Sequence, residues 1–117
     1  MFDTDQKKII GYYTVSAQSV KKESVLSLLS FPVKEIPGML IGRLAVDSNF
    51  KGKGYGSIIL IEALKKIRFV SKNFGVKIVI VDALNQNAVN FYKSYGFIEF
   101  DDNKMRLFLT MQTIDNL

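Results

Sequence analysis

The chain contains no cysteine, no histidine and no tryptophan, and only two prolines. Each absence removes a class of chemistry. Without cysteine there is no disulfide framework and no thiolate nucleophile or ligand. Without histidine, Ser–His and Cys–His nucleophile systems and His-based metal sites are excluded, so no metal is expected. General acid–base work must fall to Tyr, Asp, Glu, Lys or water. No uninterrupted apolar run reaches the roughly 18 residues of a membrane-spanning helix. The first residues, Met1-Phe-Asp-Thr-Asp-Gln-Lys-Lys8, do not read as a secretory signal. These features lead to the expectation of a cytoplasmic protein.

What is present suits one globular domain over residues 1–117: 48% of the residues are hydrophobic and mean hydropathy is +0.13. The net charge of +5 favours an anionic partner, whether a nucleotide cofactor, RNA or an acidic protein. Thirteen lysines against three arginines make that field diffuse rather than suited to bidentate phosphate readout.

Periodicity predicts a strand over Lys8–Ser16 and a short helix within Val20–Leu29, broken by Pro32 and Pro37. A strand over Gly38–Val46 follows, then a helix over Gly54–Asn73, a strand over Val76–Val81, and a helix from Asn85 or Asn87 to about Ser94. Phe97–Phe100 and Met105–Met111 read as closing strands joined by a turn at Asp101-Asp-Asn-Lys104. The strand–helix–strand unit around Gly38–Val81 requires parallel neighbours and a right-handed crossover. The expected class is therefore α/β with a mixed sheet.

Two stretches carry chemistry. The first is Lys51-Gly52-Lys53-Gly54-Tyr55-Gly56-Ser57, between a strand and a helix. Glycines there let backbone N–H groups approach a phosphate or pyrophosphate at a helix N-terminus, with Lys51 and Lys53 adding charge. The spacing matches neither a P-loop nor a dinucleotide fingerprint, and by itself it is equally a flexible connection. The second is Asn85-Gln-Asn-Ala-Val-Asn-Phe-Tyr-Lys-Ser-Tyr-Gly-Phe97, a short helix turning into a strand. Phe91 and Phe97 read as core aromatics.

Taken together, in this order, the two stretches resemble the GCN5-related N-acetyltransferases (GNAT), over about Ile9–Thr110. The glycine turn is similar to that family's [Arg/Gln]-x-x-Gly-x-[Gly/Ala], with Lys51 as a departure at the first position. Ala88-Val-Asn-Phe91-Tyr92-Lys-Ser-Tyr-Gly96-Phe97 matches the family's Ala-x-x-Phe-Tyr-x-x-x-Gly-Phe throughout.

The resemblance implies acetyl-CoA as cofactor. Backbone N–H groups of Lys51 to Gly56, with Ser57, would hold its pyrophosphate. Leu44, Ala45 and Val46 would pair through their backbone with the pantetheine arm, in a gap whose other side is Val76–Asp82. The Val46 N–H would polarise the thioester carbonyl. Asn85 and Asn87 would contact the cofactor, Asn87 being equally readable as a helix cap. Tyr92 would act as general acid toward the leaving thiolate, or else only pack against the cofactor.

Within the family the chain is most similar to the GNAT toxins of toxin–antitoxin pairs. These acetylate the α-amine of aminoacyl-tRNA and are neutralised by a small antitoxin protein. Arg43 would then meet tRNA phosphate, or else form a strand-end salt bridge. Family members usually carry another strand and one or two helices before the strand holding Gly11-Tyr12-Tyr13, and this chain is expected to lack them. The implied function is acetyl-CoA-dependent N-acetyl transfer to a primary amine, with homodimerisation as one way to complete the acceptor site. The alternatives are a non-catalytic CoA-binding or protein-interaction module and an RNA-binding protein without enzymatic work.

Overall fold

The computed structural model describes residues 2–3, 8–9, 11–21, 24, 34–46, 54–72 and 74–115. Strands β1 (Phe2–Asp3) and β2 (Lys8–Ile9) pair antiparallel as a small hairpin. Then come β3 (Gly11–Lys21), β4 (Glu35–Val46), α1 (Tyr55–Ser71), β5 (Ile78–Asp82), α2 (Gln86–Lys93), β6 (Ile98–Glu99), β7 (Arg106–Thr110) and α3 (Met111–Asp115). The main sheet has the order β3-β4-β5-β7-β6. Only β4 and β5 run parallel, joined by α1; the other pairs are antiparallel. This is the mixed α/β sheet that the sequence implies.

The strand Ile-Val-Ile-Val-Asp of β5 is central because its residues are apolar on both faces. On one face Val79 and Val81 meet Leu60, Leu64 and Ile67 of α1, Val89 and Tyr92 of α2, and Leu107 and Leu109 of β7. On the other, Ile78 and Ile80 pack with Val20, Ile36, Phe100 and Phe108. Helix α1 supplies its buried stripe from Ile59, Leu60, Ala63, Leu64 and Ile67, at the spacing of a half-buried helix.

Several boundaries differ from expectation. Strand β3 continues through Val20 and Lys21, where the periodicity predicts the start of a helix. The apolar spacing misleads there because Val20 is a strand residue buried against Ile36 and Phe108. The remainder of that expected helix, beyond Ser24, lies outside the described residues. Strand β4 begins before Pro37, which sits opposite Ser19. Pro37 gives its carbonyl to the Lys77 N–H (2.9 Å), just ahead of the first parallel pair, Gly38↔Ile78, so its missing N–H interrupts no rung of that ladder. The last turn, α3, is additional to the expected elements; it buries Met111 and Ile114.

At Gly38 the two parallel strands come close. A Cβ there would lie 3.0 Å from side-chain carbons of Ile78 and Ile80 and 3.2 Å from the Ile78 carbonyl oxygen. The backbone oxygen cannot rotate away, so a side chain at this position pushes β4 off β5. Gly38→Ala should destabilise by about 1–3 kcal/mol, seen as a lowered Tm in thermal unfolding. Gly42→Ala, whose Cβ would meet only the Thr14 hydroxyl at 3.1 Å, should cost less, because Thr14 is exposed and its side chain can turn.

Candidate active site

The β4–β5 ladder stops at Ile41↔Val81. Strand β4 runs on to Val46, paired from there only with β3: Leu44 faces Tyr13, Ala45 faces Tyr12 and Val46 faces Gly11. The register of β3 against β4 shifts at the same place, from Thr14↔Arg43 to Val15↔Ile41, which leaves Gly42 as an extra residue in β4. A bulge bends its strand and increases local twist. The sheet therefore divides past Ile41: Leu44–Val46 follow β3, while β5 and Asp82 stay with β7. At the wedge between them, past Ile41, β4 has no ladder partner on its β5 side among the described residues, the arrangement that lets a strand edge accept hydrogen bonds from an added chain.

At the start of α1, Gly54 takes a left-handed conformation, φ 80° and ψ 6°. Among the described residues a Cβ there would touch nothing within 4 Å, and the left-handed backbone by itself favours glycine. Gly54 has no side chain with which to cap the helix, and the first turn has no acidic residue. A helix start without a carboxylate favours an anion. Gly56 and Ser57 are half-buried in the first turn with Tyr55. Lys51, Gly52 and Lys53 lie outside the described residues, as do the side chains of Arg43, Ala45 and Val46.

Helix α2 brings Tyr92 to the wedge. Asn85 caps it, its Oδ1 accepting from the Ala88 N–H at 2.9 Å. The cap reading of Asn87 is thereby replaced: Asn87 lies inside the first turn, exposed. At the other end, Gly96 turns the chain so that the Phe97 N–H returns to the Tyr92 carbonyl (3.3 Å). The Lys93 ammonium meets Glu99 at 2.8 Å, which ties the helix end to β6. Tyr92 is 7% exposed, edge-on to Phe91 and tilted against Phe97 at 5.3 and 5.5 Å between ring centroids. Leu44, from the diverging end of β4, packs against the same apolar cluster. Leu44 and Tyr92, far apart in sequence, thus share one apolar cluster.

Burial, and then the negative charge of Asp82, raise the Tyr92 pKa above the usual phenol value. The hydroxyl keeps its proton at neutral pH. Asp82 closes β5 and is gripped by Arg106, its cross-strand neighbour, through two hydrogen bonds, Nε–Oδ1 at 2.7 Å and Nη2–Oδ2 at 2.9 Å. Arg106 also lies over the Phe100 ring at 5.9 Å. Sequence reasoning missed Arg106. Its partner Asp82 was visible as the end of a strand, but the register that pairs them was not. Among the described residues, no group of three or more His, Cys, Asp or Glu could hold a metal, and no helix is long and apolar enough to cross a membrane.

A family model described as an acetyltransferase (GNAT) domain matches residues 3–99. The relative named Probable toxin TacT, from Sinorhizobium fredii (strain NBRC 101917 / NGR234), is 26% identical over 127 aligned positions, covering 100% of this chain and 70% of its own. The structure of AtaT complexed with acetyl-methionyl-tRNAfMet superposes with a TM-score of 0.87 at 30% identity, over 97% of this chain and 69% of that one. A mutant AtaT toxin bound to the C-terminus of the antitoxin AtaR and acetyl-CoA superposes with a TM-score of 0.79 at 29% identity, over 95% and 66%. The chain therefore spans about two thirds of the length of these relatives.

Removing the Asp82 charge should make Tyr92 easier to ionise while leaving the burial term in place. In Asp82→Asn, the phenolate absorbance assigned to Tyr92 by difference from Tyr92→Phe should appear at lower pH than in the parent, yet still above the free phenol range. An unchanged titration would mean that the carboxylate does not act on this hydroxyl.

Proposed function

The chain belongs to the GNAT acetyltransferase family, and from that premise we propose that it transfers the acetyl group of acetyl-CoA to the α-amine of an aminoacyl-tRNA. The observation that carries this reading is the wedge left by the early end of the β4–β5 ladder, with a glycine-started helix following β4 and a protonated, buried Tyr92 beside it.

These residues fit acetyl-CoA by their chemistry. The freed edge of β4 at Leu44–Val46 offers alternating donors and acceptors to the amide groups of a pantetheine arm. The turn from Lys51 to Gly56, with Ser57, would hold the pyrophosphate through backbone N–H groups and the α1 dipole. Bound there, acetyl-CoA supplies an activated thioester. The Val46 N–H would donate to its carbonyl oxygen as negative charge develops when the amine attacks. The Tyr92 hydroxyl would give its proton to the departing sulfur and be reprotonated by the proton that the acceptor amine loses, carried through water. Asn87, exposed on the first turn of α2, reaches toward the cofactor, and Arg43 engages the acceptor RNA. The net charge of +5 adds general attraction for a polyanion.

The likeness to AtaT in complex with an acetylated methionyl-tRNA favours aminoacyl-tRNA over other amines, and the likeness to AtaT bound by AtaR favours a small antitoxin partner. Such an enzyme acts where charged tRNA is, in the cytoplasm. A second copy of the chain is a further partner that this reading allows at the acceptor side.

Tyr92→Phe separates acid catalysis from packing, because phenylalanine keeps the ring contacts and removes only the proton. Calorimetry should show acetyl-CoA binding near one per chain in both proteins, with affinities within about threefold. Acetylation of aminoacyl-tRNA, followed by mass spectrometry, should slow by about 100-fold or more in the variant. Equal rates would remove Tyr92 as the acid. Binding of acetyl-CoA with no transfer to any charged tRNA, by either protein, would favour a CoA-binding module.

A further inference from the structure

Helix α1 packs over β4 and the edge strand β3, meeting β3 around Tyr13 and Val15 and leaving its far end exposed at Ala17 and Ser19. Residues of one parity on β3 point to this face. Tyr13 and Val15 are half-buried against the main core, while Ala17 and Ser19 further along are exposed. Two hollows of about 370 and 560 Å³ occupy the space between this strand and the C-terminal half of α1. Both are bordered by Met39 and Val70, so they form one trough. Its far wall is Phe74, 71% exposed, and Val70 is 39% exposed. Exposed aromatic and aliphatic surface of this extent marks an interaction site more often than bare surface.

The charge around the trough has one sign. Lys66 borders it directly, and the exposed Lys72 and Lys77 flank Phe74 and Val76 in the chain. Among the described residues, no aspartate or glutamate borders either hollow. The nearby Arg68 is engaged with Asp115 (3.9 Å). A second copy of this chain, itself carrying +5, would bring like charge toward these lysines. An acidic partner would relieve it.

The shape selects a helix. The trough lies above the sheet in the layer that α1 occupies, where an extended segment would leave its backbone groups unpaired. From Tyr13 to Ser19 it runs about 20 Å at the rise of a strand, the length of about 13 residues of α-helix. We propose that this trough docks an amphipathic helix of a partner protein, with aliphatic residues against Val15, Met39, Val70 and Phe74 and acidic residues along the Lys66–Lys77 rim. Tyr92 borders neither hollow, so the surface does not depend on the catalytic reading.

The test uses two fluorescent synthetic helices of about four turns. Both carry leucine at i, i+3, i+4 and i+7, and they differ only in having glutamate or lysine on the polar face. Fluorescence anisotropy with the full chain should show saturable binding of the glutamate helix alone. Raising salt from ~0.05 to ~0.5 M should weaken it. Phe74→Ser and Lys66→Glu, both at exposed positions, should each reduce affinity about tenfold without shifting Tm appreciably. Equal binding of the two helices, or none of the glutamate helix at millimolar concentration, would overturn the proposal. So would a dimer of the parent chain, in sedimentation, that Phe74→Ser dissociates.

Discussion

The structure turns on the point where two parallel strands stop pairing. Up to Ile41↔Val81 the strands β4 and β5 share a ladder buried on both faces; beyond it β4 carries an extra residue, Gly42, and leaves with β3. A bulge in a central strand is costly where the ladder must continue and harmless where it ends. Placing it at the ladder's end turns a packing defect into an opening with a defined backbone edge. Everything assigned to the site stands around that opening: the end of β4 on one side, Asp82 on the other, the α1 N-terminus following, and α2 with Tyr92 packed over the apolar cluster behind.

Two opposed demands meet at Tyr92. The core needs a large aromatic there, and its ring is packed between Phe91 and Phe97. A buried phenol with a carboxylate near it holds its proton more strongly. Arg106 holds the Asp82 carboxylate through paired hydrogen bonds while resting on Phe100. This ion pair is half-exposed, so its contribution to stability is small. Its consequence is electrostatic order: the carboxylate and the guanidinium are held side by side at the end of β5, on one face of the sheet.

The same topology explains the asymmetry of the surface. With the crossover helix α1 packed over β4 and the Tyr13–Val15 part of β3, the far end of β3 at Ala17 and Ser19 is left exposed on that face. The lysines of the second half of α1 favour its dipole and also give this uncovered face its sign of charge. Solubility alone does not call for Phe74 to stand exposed among them.

Much of this was legible in the sequence because it is local. Apolar periodicity specifies α1 and β5, an asparagine at 85 or 87 specifies a cap, the glycines of 52–56 and Gly96 specify breaks in the chain's regular elements, and the two motifs specify the family. The absence of histidine and cysteine leaves Tyr92 in a narrow set of proton donors. What the tertiary structure decided is what depends on register. Val20 belongs to a strand because Ile36 and Phe108 bury it, although its spacing reads as helix. Arg106 meets Asp82 only because β5 and β7 pair antiparallel at that offset, and Leu44 meets the Tyr92 cluster only because β4 leaves β5 after Ile41. A sequence fixes which residues can be helix, strand or turn through interactions a few positions long. Which side chains meet across a sheet is set by ladder offsets that no short window of the chain contains.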